Sequence, residues 1–322
     1  MNWGIISASR IANRFIEALQ REKESVYAIA SRNIERANEF KQKYSISKAY
    51  GSYDELLNDE EVDIVYISSI NSCHYDLVVK AIEAGKHIIC EKPLSVKAAD
   101  AADMVARAGV KKVFFMEALW SRFLPIYKEI HKVIEDGEIG EVMQVRADFS
   151  FVAERNEDWR LLNSEMGGGA LYDIGIYSVM FILDFLKLDL KNIKATGFIG
   201  NTGVDEDSVV SLNFGNGKSA VMWNSFISQR RRMGTIIGTK GQINVPDFYS
   251  ADTCEVVFFK DRKKMEIEMK CEHENKFVYE IEEAVNCISR GRKESDKMPL
   301  SHSLKAAEII DEAIRQLREE VV

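Results

Sequence analysis

Cysteine is scarce and unpatterned in this chain. The five residues, Cys73, Cys90, Cys254, Cys271 and Cys287, are odd in number, widely spaced and in no CxxC arrangement, which argues against both a disulfide framework and a zinc site. No His/Cys/carboxylate cluster has metal-ligand spacing, so no metal is expected. Basic character is lacking too. A formal charge of -8 speaks against a general phosphate-backbone binder, and Arg230-Arg231-Arg232 is too short to be a nucleic-acid patch; it reads as a solvated strand edge or loop. No stretch approaches the roughly 20 apolar residues of a membrane span. Met1-Asn2-Trp3 leads into an apolar run with no basic leader or small-residue cleavage site, so a soluble, cytoplasmic protein is expected. With only 4 prolines there is no Pro/Gly/Ser-rich linker to announce a domain boundary.

What is present is length enough for two cores. At 322 residues the chain exceeds the size at which one core stops growing. Strand-like runs at Trp3 to Ile6, Ser25 to Ala30, Asp63 to Ser68, His87 to Cys90 and Lys112 to Met116 alternate with helical patterns, the signature of a doubly wound parallel sheet. Asn33, Ser72 and Ser95 stand where helix N-caps belong, and Gly85 where one helix stops. After about residue 118 the pattern changes to paired strands. Val142 to Phe151 alternates, NIKATGF follows a long helix, and SVVSLNF/KSAVMWNSF makes a hairpin through Gly215-Asn216-Gly217, with TIIG/QINV and EVVFFK/KMEIEM as two more. The expected organisation is a Rossmann domain over 1–118 and an α+β domain with a large open antiparallel sheet over 119–322, whose final helix, 302–320, packs back on the first domain. An open sheet covered by helices on one face leaves the other for a partner. Val221, Trp223, Val257 and Phe259 suit a homodimer or homotetramer there.

The first strand-to-helix turn, WGIISASRIANRF, occupies the place where a dinucleotide pyrophosphate meets a helix amino terminus. Ser7, Ala8, Ser9, Arg10 and Ile11 would line it. Ser7, Ser9 and Ala12 stand where G-x-G-x-x-G has glycines, so taken alone the turn also fits a plain strand-turn-helix. About 20 residues on, where a ribose-reading acid belongs, the chain has Ala30-Ser31-Arg32 and no carboxylate. Ser31 and Arg32 offer donors and positive charge to a 2'-phosphate, so NADP is expected ahead of NAD; a solvated helix entry is the alternative. The next strand end, Ser68-Ser69-Ile70-Asn71-Ser72-Cys73-His74, supplies Ser69, Asn71 and His74 as further cofactor contacts, with an Asx turn and a structural histidine as competing readings.

The stretch GKHIICEKPLS has the most chemistry. A buried strand runs into Glu91 and Lys92 at the sheet's carboxyl edge, where ligands of open α/β sheets collect, and Pro93 restricts Lys92 to extended geometry. The Lys92-Pro93 bond is expected to be cis. Asp173 and Tyr177 are four apart on the helix after Gly167-Gly168-Gly169 and so share a face, with Gly175 on another face permitting close approach of a neighbour. A helix merely packed by Leu171, Ile174, Val179 and Phe181 is the bland reading.

With AGKHIICEKPLS followed by GGGALYDIGIYSV, the chain resembles the glucose-fructose oxidoreductase and inositol dehydrogenase family. The resemblance covers essentially the whole chain, and MEALWSRFLP is most similar to the dimeric dihydrodiol dehydrogenase and NADP-dependent xylose dehydrogenase branch. It implies hydride transfer between a nicotinamide and a small polyol, sugar or vicinal diol, or the matching carbonyl. It also implies that the family's catalytic lysine falls on Lys92, its aspartate on Asp173 and its acid/base residue on Tyr177, where the inositol-oxidising branch carries histidine. Glu91 and Lys92 also face the cofactor in this reading. The turn SASRIA departs from the family's usual glycines, and Ile70 from its usual proline. Trp120, Arg122, Phe123, Trp159 and Arg160 are expected at the substrate cleft, where an ordinary core role competes. Two other readings compete for the whole chain: a catalytically silent NADP-binding sensor or assembly partner, and a redox-cofactor-assisted sugar elimination enzyme.

Overall fold

A computed structural model of the chain describes residues 1–186, 189–260, 263–272 and 275–319. They divide into two compact units, Met1–Trp120 with Asn275–Leu304, and Ser121–Glu274 with Lys305–Val322.

In the first unit, β1 (Asn2–Ile6), α1 (Arg10–Arg21), β2 (Ser25–Ala30), α2 (Ile34–Tyr44), β3 (Lys48–Tyr50) and α3 (Tyr53–Leu57) precede β4 (Ile64–Ile67), α4 (His74–Glu83), β5 (His87–Glu91), α5 (Ala98–Lys111) and β6 (Phe115–Ala118). The strands form one parallel six-stranded sheet in the order β3-β2-β1-β4-β5-β6, the doubly wound arrangement with its reversal between β1 and β4. Burial on both faces explains the unbroken apolar runs of Ile64–Ile67 and Ile88–Cys90. Some details differ from the sequence reading. Asn33 does cap α2, but Ser72 and Ser95 cap nothing. A 3₁₀ turn over Asn71–Cys73 precedes α4, and Ser95 accepts from the Lys97 amide ahead of α5. Lys112 takes the left-handed C-cap of α5 (φ 56°), which delays β6 to Phe115. β3 and α3 went unread because β3 is three half-buried residues and α3 a single capped turn.

The second unit contains α6 (Pro125–Glu135), β7 (Val142–Ser150), α7 (Ile176–Phe185), β8 (Asn192–Ile199), β9 (Asp205–Gly215), β10 (Lys218–Ser225), β11 (Met233–Gly238), β12 (Gly241–Pro246), β13 (Thr253–Lys260) and β14 (Lys263–Lys270). The eight strands run β14-β13-β12-β11-β7-β10-β9-β8. The three predicted hairpins are β9/β10, β11/β12 and β13/β14. The sheet is antiparallel except for β7 and β10, which pair in parallel across the centre because the hairpins on either side fold away from β7 in opposite directions. Helix α7 packs on β7, β10 and β11. Its apolar stretch, Ser164–Phe185, is by length and composition sufficient to cross a membrane, which corrects the expectation that no such stretch exists; 89% of the apolar window is buried inside the protein, the position of a core helix. On the opposite sheet face Val221, Trp223 and Val257 are half-buried and Phe259 is 63% exposed.

After β14 the chain re-enters the first unit with α8 (Phe277–Ser289) and the start of α9 (Leu300–Glu319); residue 320 of the predicted last helix lies outside the described residues. Phe277 completes an aromatic core there, edge-on to Phe15 (5.8 Å) and to Trp120 (5.1 Å), while Phe15 stacks on Tyr66 and meets Trp3 edge-on.

Candidate active site

The first unit gathers its polar side chains at the carboxyl ends of β1, β4 and β5. Ser7 adopts φ 82°, a left-handed conformation that glycine adopts without strain, and its amide bonds the Ala30 carbonyl at 3.0 Å. Ser9 caps α1 by accepting from the Ala12 amide (3.2 Å) and donates to Ser68 Oγ (3.0 Å), tying the first turn to the end of β4. Ala8 and Ala12 are fully packed, so the small residues that replace the glycines keep helix and turn close. The turn therefore fits a dinucleotide: an α-helix amino terminus preceded by small residues, with serine hydroxyls shaping the loop. Arg10 is exposed and Ile11 half-buried at the mouth of that turn. At the end of β2, Ser31 is buried and accepts from the Asn33 amide (3.2 Å), while Arg32 is exposed.

Asn71 begins the 3₁₀ turn after β4, and Ser69 beside it is half-buried. His74 is completely buried. Its Nδ1 lies 2.8 Å from the Pro93 carbonyl and its Nε2 3.3 Å from that of Ser69, so it links the Asn71 loop to the lysine turn; burial pushes its pKa down. It sits beneath the loop rather than on it.

The Lys92-Pro93 bond is cis, as expected. Glu91 is buried and accepts from the Tyr66 hydroxyl, while Lys92 is half-buried. Two side chains secure the turn around the lysine: His74 at the Pro93 carbonyl and Glu117 of β6, whose Oε1 accepts from the Leu94 amide at 2.8 Å. Burial first, then the neighbouring Glu91, pushes the Glu117 pKa up to about 7, against the Leu94 amide and the Lys92 charge. A third carboxyl, Glu280 of α8, is fully buried, and neither oxygen has a hydrogen-bond partner among the described residues. Burial and then Glu91 hold its pKa well above the usual range.

In the second unit, the Gly167-Gly168-Gly169 turn enters a π-helical stretch, Leu171–Gly175, before α7 becomes regular. The shared-face argument for Asp173 and Tyr177 assumed an α-helix throughout, whereas the stretch that holds Asp173 is π-helical and becomes a regular α-helix only from Ile176. Asp205, the first residue of β9, fixes this start by accepting from the Leu171 amide at 2.7 Å. Gly169 has φ 128°, and a Cβ there would stand 2.3 Å from Asp205 Oδ1, so position 169 has room only for glycine while the carboxyl caps the helix. Burial pushes the Asp205 pKa up to about 7, opposed by the amides of Leu171, Asp205 itself and Ala170 and by Arg318.

Asp173 is buried and accepts from Arg160 Nη1 at 2.8 Å, which joins two of the predicted residues. Tyr177 is buried in an aromatic group with Phe149 and Tyr249 (centroids 5.9 Å from each), and Tyr249 accepts from Arg232 Nη1 at 2.7 Å. Gly175 does allow a close approach, by Asn224 of β10. The remaining predicted residues scatter. Trp159 is exposed, while Arg122 is buried, pairing with Asp184 (2.9 Å) and donating to the Met180 carbonyl (3.1 Å), with Phe123 buried beside it. In the first unit Trp120 is half-buried against Phe277. Sequence reasoning missed Glu117, Asp205, Phe149, Tyr249 and Arg232. Of these only Arg232 carried a signal, in the basic run.

Residues 1–119 match the model of the oxidoreductase family with an NAD-binding Rossmann fold, and residues 127–244 match that of the GFO/IDH/MocA C-terminal domain. Curated relatives named trans-1,2-dihydrobenzene-1,2-diol dehydrogenase include one from Xenopus tropicalis, 38% identical over 98% of this chain and 97% of its own length. The relative of that name from Homo sapiens is 34% identical over 97% of this chain and 95% of its own. Among solved structures, a 3-ketoreductase from Actinomadura kijaniata in complex with NADP and TDP-benzene superposes with a TM-score of 0.87 at 24% identity, covering 99% of this chain and 97% of that one. An aldose-aldose oxidoreductase from Caulobacter crescentus complexed with glycerol superposes with a TM-score of 0.88 at 24% identity, covering 99% and 98%. These two share the fold.

Proposed function

The chain belongs to the GFO/IDH/MocA family of oxidoreductases, with an NAD-binding Rossmann domain, and from that premise we propose that it is an NADP-dependent dehydrogenase of a small vicinal diol, polyol or sugar. The observation that carries the reading is the seat of Lys92: a half-buried amine at the carboxyl end of β5, its turn fixed on one side by His74 and on the other by Glu117. The name shared by the curated relatives favours a trans-dihydrodiol among candidate substrates.

The bound nicotinamide supplies two-electron chemistry to the carbinol carbon. Ser7 to Ile11 and the amino terminus of α1 receive the pyrophosphate. Ser31 and Arg32 receive the 2'-phosphate, in place of the acid that would bond a ribose hydroxyl. Ser69 and Asn71 line the loop after β4, and Glu91 stands next to the lysine. Lys92 brings positive charge to the substrate oxygen as charge develops on it. Tyr177 exchanges the hydroxyl proton as general acid/base, its ring packed by Phe149 and Tyr249. Asp173, paired with Arg160, orients the substrate. Trp159, exposed on the second unit, supplies apolar contact for an aromatic or cyclic substrate, and Arg122 supports that unit from within. The exposed face of the eight-stranded sheet, with Val221, Trp223, Val257 and Phe259, joins two copies into a homodimer.

An absorbance screen of NADP⁺ and NAD⁺ against trans-1,2-dihydrobenzene-1,2-diol, D-xylose and inositol tests the activity, with Lys92→Met as the control. Turnover with the diol or the sugar in the wild type, lost in Lys92→Met while NADPH still binds, is the expected result. Cofactor binding without turnover of any polyol would replace the enzyme reading with that of a sensor. Near-normal turnover by Lys92→Met would remove the lysine from the mechanism.

A further inference from the structure

Glu117 lies on β6 directly beside the end of β5, with Cα paired to that of Cys90, two residues before Lys92. It is fully buried. One oxygen accepts from the Leu94 amide at 2.8 Å; the other, Oε2, has no hydrogen-bond partner among the described residues, the Ser303 hydroxyl of α9 facing it without closing a bond of ordinary geometry. The charged or ionisable groups facing it are Glu91, the last residue of β5, Lys92 just after it, and the buried Cys90 thiol. Holding one amide does not call for a carboxyl in such a place. A glutamine would accept from the Leu94 amide equally well and escape the cost of burying an ionisable group. What a carboxyl adds is a charge that can appear and disappear, within reach of the lysine's own.

We propose that Glu117 is a positioning residue for Lys92: it holds the backbone turn that delivers the amine, and its ionised form balances the ammonium during turnover. The assignment rests on the reading of Lys92 as the residue that meets the substrate oxygen. It goes beyond that reading by naming a second buried group, from a neighbouring strand, on which the lysine's charge depends. Because Glu117 titrates at about 7, the lysine works beside a charged partner above that pH and beside a neutral one below it.

The test separates the bolt from the charge. Glu117→Gln keeps an acceptor for the Leu94 amide and removes the charge; Glu117→Asp keeps the charge and withdraws the acceptor by one methylene. Both are assayed as purified full-length protein with NADP⁺ and trans-1,2-dihydrobenzene-1,2-diol, or with D-xylose where the screen favours it, alongside NADPH affinity by fluorescence. For Glu117→Gln the expected results are unchanged NADPH affinity, kcat lowered about tenfold at pH 8, and loss of the wild-type limb near pH 7. Glu117→Asp should keep that limb with a lowered plateau. A readout independent of turnover is the infrared carboxylic C=O band: the wild-type minus Glu117→Gln difference should contain one band that fades as pH rises through about 7. Wild-type kcat and pH profile in Glu117→Gln, with Lys92→Met inactive, would overturn this assignment alone. Activity in Lys92→Met would remove the mechanism and this assignment together.

Discussion

Asp205 makes the second unit's stability fall as the solution becomes alkaline, and replacing it with asparagine should reverse that. The carboxyl is buried at the start of the helix that carries Asp173 and Tyr177, and burial raises its pKa from 3.8 to about 7 in the folded chain. The folded value lies above the unfolded one, so Asp205 is protonated in both states below about pH 4. Between about pH 4 and 7 the unfolded chain ionises first and stability is lost; above about 7 both states are ionised and the loss is complete. An elevation of that size corresponds to roughly 4 kcal/mol. The hydrogen bonds from Leu171, Asp205 and Ala170 are already contained in it, since they pull the pKa down and burial still wins. Asparagine retains an acceptor for the Leu171 amide and has no charge to bury. Asp205→Asn should therefore unfold near the wild-type urea midpoint at pH 4.5 and well above it at pH 8.5, by up to a few kcal/mol. Fluorescence of Trp159 and Trp223, in a background where Trp3 and Trp120 are Phe, follows this unit alone. A difference between wild type and Asp205→Asn that stays constant across that range would refute the reasoning, because every other titrating group is common to both proteins.

Tyr177→Phe should lower kcat by about 10²–10⁴ and flatten the limb of the pH-rate profile that reports its proton transfer; an unchanged profile would show that the tyrosine is not the proton carrier. Arg32→Ala should weaken NADPH far more than NADH in fluorescence titrations, by about 2 kcal/mol for a lost charge-assisted contact, and equal losses would rule out 2'-phosphate recognition. Light scattering at micromolar concentration should report a dimer, and Phe259→Glu together with Trp223→Glu should shift it to monomer without loss of fold.

The parallel sheet could be read in the chain because it imposes one simple demand. Strands buried on both faces must be apolar throughout, so IVYI and HIIC stand out from the amphipathic helices between them. Lys92 stood out for the opposite reason: a Glu-Lys pair at the end of such a run departs from its apolar surroundings, and Lys92 is half-buried at the carboxyl end of β5. The hairpins followed from turn chemistry, with Asn216 and Gly217 both at positive φ between β9 and β10. What escaped depends on contacts between residues distant in sequence. The π-helical start of the Tyr177 helix is set by Asp205, 34 positions after Leu171, and nothing in LYDIGIYS by itself departs from α-helical spacing. The parallel pairing of β7 with β10 is likewise invisible, since each strand alternates as an antiparallel strand would. Glu117 reads as an ordinary glutamate after an apolar strand; only the register of β6 against β5 places it against the Leu94 amide.

The same device therefore recurs in both units. Each proposed catalytic side chain lies within a few residues of a backbone amide held by a buried carboxyl, Leu94 by Glu117 and Leu171 by Asp205, and burial lifts both carboxyls to about 7. A chain selected for stability alone would place neutral amides there, because an amide makes the same hydrogen bond without the alkaline loss worked out above. The carboxyls at 117 and 205 each bond the backbone within a few residues of a group assigned to the reaction, whereas the third buried carboxyl, Glu280, has no hydrogen-bond partner among the described residues. Gly169 sharpens the point: with φ 128° and no room for a Cβ against Asp205, its glycine serves the carboxyl and not the helix, which propensity alone would not favour starting there. Stability given up at 117 and 205 thus marks the positions where the fold was adjusted to its chemistry, and the variants Glu117→Gln and Asp205→Asn should come out firmer than the wild type at pH 8, with the first of them slower.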